Sequence, residues 1–466
     1  MRMTFYFREK DLEQIERFYA NQRTRAMAVY GRRRTGKTTL VLKFIENKEN
    51  CVYFQVTDPN TDYHLALSDF KRTVISTIGA DPVIDSLKTF RDLFVYLNKT
   101  GSDQYLFIID EFPYIVSKHP SAVGEFQWII DHGLGKNKLI LMGSNKSFMK
   151  EQISDDRKPL YGRFDEILEV FPFTYDEVHQ LFPEGDDALN VYSLTYGVAQ
   201  YVVFFLDYEN SAEAVNQLYL RRNGRLFQEP ANLLRQELRD TGPYIRILRA
   251  IGADEKEPSD IASKSDIDGK AIYQYLNKLE QLEVIETVHN PLPGKKNKIR
   301  RHRIRDLFFR FMYTFIEPNS SLIVQIEEKA HPYVFNQQFT ECQGRVYEDL
   351  IRHSLYQYAL DGVIPFMPKD IGKWWGNVQL NGEWAESEVD VLAIDDHYAI
   401  VGECKYRSKK IGQKELDLLK TKANFIPVKG RKVIWLLASK AGFTNDVIPA
   451  ENVLFIEGTK PLNSVK

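Results

Sequence analysis

An α/β fold is predicted for this chain, and three observations predict it. Short apolar runs suited to buried strands, at 26–30, 106–109 and 138–142, alternate with stretches of helical spacing. The first run leads into a glycine-rich segment, Gly31-Arg-Arg-Arg-Thr-Gly-Lys-Thr38, and then into an apolar helix pattern over 39–45. The second run ends in two adjacent acids, Asp110 and Glu111.

Strand, glycine loop and helix in that order is the context in which a G-x-x-x-x-G-K-[ST] segment binds phosphate. Gly31 and Gly36 let the backbone curl, so that the N–H groups of Arg32, Arg33, Arg34, Thr35 and the residues through Thr39 face an anion at the positive end of the helix dipole. In this reading Lys37 reaches the β- and γ-phosphates of a nucleoside triphosphate, and the Thr38 hydroxyl ligates Mg²⁺. Asp110, at the end of the second strand, binds the same ion through water. Glu111 beside it is placed to polarise the attacking water, which favours hydrolysis over binding alone. The third run opens onto Gly143-Ser144-Asn145, where Asn145, or Ser144 as second choice, is expected beside the γ-phosphate. Arg163, in the loop Pro159-Leu-Tyr-Gly-Arg163, is a candidate to stabilise the transferring phosphoryl, within the chain or across the interface of a homo-oligomer. A surface ion pair is the plainer alternative for it.

The chain has 466 residues, 43% of them apolar, enough for about three domains with their own cores. A net charge of −2 excludes a global basic field, so nucleic-acid binding has to come from a local patch. Cys51, Cys342 and Cys404 lack metal-ligand spacing and suit a reducing compartment. With no apolar stretch near the length of a membrane span and no signal segment, the expectation is a cytoplasmic protein with no membrane contact.

Residues 176–240 read as a helical lid. Beyond them, Ile245, Ile247, Leu248 and Ile251 mark one helix, Pro258-Ser-Asp-Ile-Ala262 opens a second with Ser259 as its expected cap, and 270–282 forms a third. Followed by a hairpin, this is a winged helix-turn-helix pattern over 241–316. Its wing carries Lys295, Lys296, Lys298, Arg300, Arg301, Arg303 and Arg305 with no acid among them, which points to salt-sensitive contact with DNA phosphates. Such modules also serve as protein adaptors, so a protein partner stays open.

The last stretch carries a second constellation, Glu388-Val-Asp390 and Gly402-Glu-Cys-Lys405, read as two antiparallel strands. On a strand, alternate residues share a face, so Glu403 and Lys405 point together and Cys404 points away. An even-numbered turn brings Asp390 onto that face. Asp390 and Glu403 are then candidate Mg²⁺ ligands and Lys405 a candidate to orient the attacking water, with Glu348 on a preceding helix as a further acid.

Taken together, Arg8-Glu9-x-x-Leu12, the loop at 30–38, Ile109-Asp-Glu-Phe-Pro-Tyr114, Gly143-Ser144, Pro159-Leu-Tyr-Gly-Arg163 and Leu226-Phe-Gln-Glu-Pro230 resemble the prokaryotic AAA-like P-loop ATPases often called archaeal ATPases, which are related to the signal-transduction ATPases. Arg305-Asp-Leu-Phe-Phe-Arg-Phe311, Trp374-Trp375, Glu388-Val-Asp390 and Gly402-Glu-Cys-Lys-Tyr406 are similar to hallmarks of that family's C-terminal part. One departure is Tyr196-Gly-Val-Ala-Gln200, where the family shows Gly-Gly-x-Pro. The resemblance implies a P-loop NTPase core over 1–175, the lid, the winged helix, and a restriction-endonuclease-like PD-(D/E)xK domain over 330–466. The resulting expectation is an ATPase coupled to a DNA-binding, Mg²⁺-dependent nuclease-like domain. The alternative is a nucleotide-operated switch or adaptor, regulatory or defensive, whose C-terminal domain binds without cutting.

Overall fold

The computed structural model describes residues 5–459 except 102, 239, 293–299 and 381. It divides into two compact units, Met1–Phe173 with Val198–Tyr201, and Thr174–Gly197 with Val202–Lys466.

The first unit is built on a parallel sheet. Its strands are β1 (Ala26–Tyr30), β2 (Cys51–Gln55), β3 (Leu106–Asp110), β4 (Lys138–Gly143) and β5 (Glu166–Glu169), in the spatial order β2-β3-β4-β1-β5. β1, β3 and β4 are buried along their whole length, which is why they read as unbroken apolar runs rather than alternating ones. Alternation still sorts the residues. Ala28, Tyr30, Phe107 and Ile109 join one core, while Met27, Val29, Leu106 and Ile108 join the core on the other face, with Leu40 and Val41 of the helix Lys37–Ile45. Because all strands are parallel, the C-terminal ends of β1, β3 and β4 lie along one edge. That edge carries Gly31, Asp110 and Gly143.

The second unit is richer in helices. Gly242–Ile251, Pro258–Ser265 and Ile272–Gln281 precede a small antiparallel pair, β6 (Ile285–Thr287) and β7 (His302–Ile304). The helix at Pro258 starts on the proline itself, whose missing N–H costs nothing in the first turn, so Ser259 lies inside that turn and Glu257 takes the capping position expected of it. The residues Lys295, Lys296 and Lys298 lie outside the described residues.

A mixed sheet follows, in the order β12-β11-β10-β9-β8, from β8 (Asp370–Leu380), β9 (Glu383–Ile394), β10 (Tyr398–Lys405), β11 (Lys432–Ser439) and β12 (Val453–Glu457). β9 and β10 are antiparallel, paired Ala399 to Ile394 through Gly402 to Val391, and continuing that register sets Asp390 beside Glu403. The helix Gln337–Leu360 packs Tyr347, Ile351 and Leu355 on the sheet face of Ile400 and Cys404. Leu416 and Leu419 of the helix Gln413–Ala423 cover the face of Ala399 and Val401. Cys342 and Cys404 are buried apolar groups, and Cys51 is half-buried. No helix among the described residues is long and apolar enough to cross a membrane.

Candidate functional site

The glycine loop is shaped by backbone that only glycine adopts easily. Gly31 has φ +150°, and a Cβ there would stand 2.4 Å from the Val170 carbonyl oxygen. Gly36, at φ +95°, caps the helix that begins at Lys37. Lys37 folds back across the loop, and its Nζ donates to the carbonyls of Gly31 and Arg32 at 2.9 Å each. From the outside, the buried Arg8 donates to the carbonyl of Thr35 at 2.8 Å and of Phe171 at 2.7 Å. Arg8 thus ties the loop to the end of β5, a role that spacing alone could not assign. Arg34 contacts the departing segment, donating to Gln200 Oε1 at 3.0 Å and receiving on its carbonyl the Gln200 N–H at 3.1 Å.

At the end of β3, the Thr38 hydroxyl donates to Asp110 Oδ2 at 2.7 Å, and Tyr53 donates to the same oxygen at 2.9 Å. Burial lifts the Asp110 carboxyl above its ordinary value, and Glu111 adds to the effect, while the Thr38 and Tyr53 hydroxyls and Lys37 oppose it. A hydroxyl and a carboxylate oxygen, held at hydrogen-bond distance beside a lysine-threaded loop, form a donor set that suits hard Mg²⁺. Glu111 sits in left-handed backbone, φ +58°, which turns its side chain out of the strand. Its Oε2 accepts from the Ser144 hydroxyl at 2.8 Å and the Ser144 N–H at 3.2 Å, and its Oε1 lies 4.0 Å from Arg33 Nη1. Arg33 also donates to the Tyr114 hydroxyl.

Two residues expected here have other employment. Asn145 caps the helix Lys146–Ser154, accepting the Phe148 N–H at 2.9 Å, so Ser144 is the residue that meets Glu111. Arg163 pairs with Asp131 at 3.0 Å and donates to the Tyr161 carbonyl.

In the second unit, Asp390 and Glu403 come together on neighbouring strands. Asp390 Oδ2 accepts the Cys404 N–H at 2.8 Å. Glu403 Oε1 accepts from Lys405 Nζ at 2.5 Å, and Glu403 Oε2 lies 3.3 Å from Lys422 Nζ, which also donates to the Glu388 carbonyl at 3.1 Å. Burial, then the charges of Glu348 and Glu403, push Asp390 well above the ordinary carboxylate range. Burial pulls Lys405 down, but Glu403 and Asp390 outweigh it and keep the ammonium more basic than usual. Glu348 projects from the helix on the Cys404 face, and its partners are Lys373 and Arg352, each at 3.9 Å. Lys373 is itself buried among Glu388 at 3.1 Å, Glu255 at 3.6 Å and Glu348. Among the described residues, no three His, Cys, Asp or Glu side chains converge as ligands of one ion. Both carboxylate oxygens of Glu403 are taken by ammonium groups and one of Asp390 by the Cys404 N–H, so this arrangement does not fit the ion. Lys422 and Lys373 gave no signal in the sequence, because nothing in their neighbours marks a lysine as buried.

The described part of the wing also departs from expectation. Arg303 is enclosed by Glu286 at 2.6 Å and Asp349 at 2.9 Å. Arg301 reaches Glu386 at 2.6 Å and lies over the Trp375 ring, and Arg305 stands 3.8 Å from both Glu283 and Glu286. The run lacks acids in sequence, but the fold brings them from elsewhere, and Arg303 in particular is not presented to a duplex. Arg300 is exposed.

A parallel sheet in which β1 opens into a glycine-lysine loop, with an acid at the end of β3 two strands away, defines a P-loop NTPase core. Residues 5–204 match the model of an ATPase domain predominantly from Archaea, and residues 312–417 match that of archaeal and bacterial proteins of unknown function. The first of these matches places an ATPase domain of this archaeal type at residues 5–204. It is similar to an uncharacterized protein of Methanocaldococcus jannaschii, 29% identical over 87% of this chain and 88% of that one. A short stretch, 10% of the chain, is 44% identical to an uncharacterized ATP-binding protein of the same organism and covers 76% of it. Among solved structures, a Walker-type ATPase of Pyrococcus abyssi aligns with 67% of this chain and 97% of its own, at 19% identity and TM-score 0.49. The ORC2 protein of Aeropyrum pernix aligns with 69% and 95%, at 14% identity and TM-score 0.45.

Proposed function

We propose that the first unit binds and hydrolyses ATP with Mg²⁺. The observation that carries this is the Thr38–Asp110 contact at 2.7 Å beside a loop threaded by Lys37. Thr38 and Asp110 are the residues to hold the ion, which supplies charge stabilisation on the phosphates when bound. Lys37 exchanges its backbone carbonyl partners for phosphate oxygens, which add an opposite charge to the hydrogen bond. Backbone N–H groups from Arg32 to Thr39 orient the triphosphate. Glu111, once released by Ser144, accepts a hydrogen bond from the attacking water and aligns it. Arg163 serves only if a second copy or a movement takes it from Asp131. The test is phosphate release from ATP by wild type, Lys37→Ala and Glu111→Gln, with nucleotide affinity measured alongside. Equal turnover in all three would sink the assignment.

Hydrolysis is coupled, in this reading, to a winged-helix segment at 241–316 and a nuclease-like domain at 330–466, with DNA as the partner. Asp390 and Glu403, side by side on β9 and β10 with Lys405, support the nuclease likeness. The second reading, a nucleotide-operated switch or adaptor whose C-terminal domain binds without cutting, is favoured by one observation: both carboxylate oxygens of Glu403 are engaged by ammonium groups. Nicking of plasmid DNA that survives in Glu403→Gln would remove the first of these readings.

A further inference from the structure

We propose that Lys422 is a positioning residue of the Asp390–Glu403 site, and that its ammonium takes the place on Glu403 that a divalent cation needs. The inference rests on the nuclease-like reading of this site and adds what governs cation entry to it.

Glu403 is nearly buried, and a buried carboxylate must be paired or neutralised. It has two oxygens, and each has a different ammonium. Lys405 lies two residues along the same strand, on the same face, and takes Oε1. Lys422 arrives from the helix Gln413–Ala423, also nearly buried, and takes Oε2. Its second acceptor is the Glu388 carbonyl, two residues before Asp390 on β9, so one ammonium links the strand of each acid. Asp390 spends one oxygen on the Cys404 N–H. A Mg²⁺ or Mn²⁺ ion is bound through carboxylate oxygens at close to 2 Å, a distance it cannot share with an ammonium on the same lone pairs. On the other side of the sheet, Lys373 does for Glu348 and Glu388 what Lys422 does for Glu403. The acids of the site are therefore counterbalanced by the protein. Of the two lysines on Glu403, Lys405 is part of the strand motif and Lys422 is the one added by the fold. Its withdrawal frees an oxygen on the Glu403 side that faces β9.

The experiment is Mn²⁺ binding to the nucleotide-free full chain, followed by electron paramagnetic resonance, in wild type, Lys422→Met, Lys422→Gln, Lys422→Arg and the double variant Lys422→Met with Glu403→Gln. The two neutral variants should gain a Mn²⁺ site about tenfold or more tighter than any in wild type. Lys422→Arg should behave as wild type, and the double variant should lose the gain. Wild type that already binds one Mn²⁺ as tightly as Lys422→Met, through Glu403, would overturn the proposal, as would folded neutral variants with no gain. Should the neutral variants not fold, acetylation kinetics of wild type decide instead. Lys422 should react far more slowly than the exposed Lys409, and equal rates overturn the proposal. Plasmid nicking by Lys422→Met separates this inference from the reading beneath it. A gained Mn²⁺ site without nicking upholds the role of Lys422 and defeats the nuclease reading.

Discussion

The two candidate sites use the same parts, a carboxylate at a strand end and a lysine close by, and arrange them in opposite ways. In the glycine loop, the Lys37 ammonium donates to backbone carbonyls, and Asp110 takes hydroxyls. In the C-terminal sheet, the ammoniums of Lys405 and Lys422 are placed on the acid itself. Neutral partners leave the charges of Lys37 and Asp110 uncompensated, so a charged ligand that replaces them adds Coulombic attraction. A buried ion pair resists exchange, because removing one partner leaves an unpaired charge costing about 3–5 kcal/mol. Under the proposed function the first site is prepared for a polyanion and its metal, whereas the second has the charge of Glu403 balanced without either.

The largest expected effect tests the first half of that comparison. Lys37→Ala and Asp110→Asn should each lower ATP turnover by roughly 10²–10³-fold, the scale seen when one preorganised charge-stabilising group is lost. Steady-state phosphate release checks this. If Asp110→Asn hydrolyses ATP normally, the Thr38–Asp110 contact is only a structural hydrogen bond.

Next in size is Arg303→Ala, which sharpens the contrast by asking what a wing arginine is for. Glu286 then loses its closest cation and the buried Asp349 one of its three, so the second unit should lose up to about 3 kcal/mol, read by urea unfolding. An unchanged unfolding midpoint together with weaker, less salt-sensitive DNA binding would return Arg303 to the phosphate-contacting role expected from its sequence neighbourhood.

A smaller change belongs to Ser144→Ala. It removes the 2.8 Å hydroxyl contact on Glu111 Oε2 and leaves the N–H contact at 3.2 Å. Turnover should change roughly tenfold with nucleotide affinity preserved, because a hydrogen bond to a carboxylate is worth about 1.5–3 kcal/mol. A change in affinity alone, with the chemical step untouched, would show that Ser144 is not holding Glu111.

What was legible in the sequence follows the same division. The glycine loop is a contiguous signal, and its partner Asp110 is announced by an apolar run that ends in acids, so Thr38 and Asp110 were paired across the chain before any fold was known. The juxtaposition of Asp390 and Glu403 was legible through strand alternation and a short turn. The counter-charges were not. Lys422 lies on a helix whose lysines are otherwise at the surface, Lys373 lies between a glycine and two tryptophans, and Arg8 was only a family likeness. The cap formed by Asn145 is not legible, because a side chain at a strand end competes between ligand and helix cap. The pairing of Arg301 and Arg303 is not legible because Glu386 and Asp349, which meet them, are far away in sequence. A charge run shows which charges are present, and only the fold shows which are already paired.

The smallest effect is a pH dependence, and it tests whether that pairing stabilises the second unit. Burial pushes Asp349 upward, but Arg303, Arg352 and Arg310 around it prevail and hold it well below the ordinary carboxylate value of 3.8. A carboxylate depressed on folding contributes stability that is fully present above its unfolded pKa, and that is lost as pH falls through the folded one. Wild type should therefore lose stability below about pH 4 more steeply than Asp349→Asn, by up to about 1.4 kcal/mol per pH unit for the one proton involved. In Arg303→Ala, which removes one of the three cations, the loss should begin at the same pH but be smaller and end at a higher pH. Urea midpoints between pH 5 and pH 2.5 measure all three chains. Parallel curves for wild type and Asp349→Asn would mean that the arginines gain as much from other acceptors as from Asp349. The charge balance of this unit would then be a property of the whole network, with Glu286 and the Asp390 carbonyl carrying what is here assigned to one carboxylate.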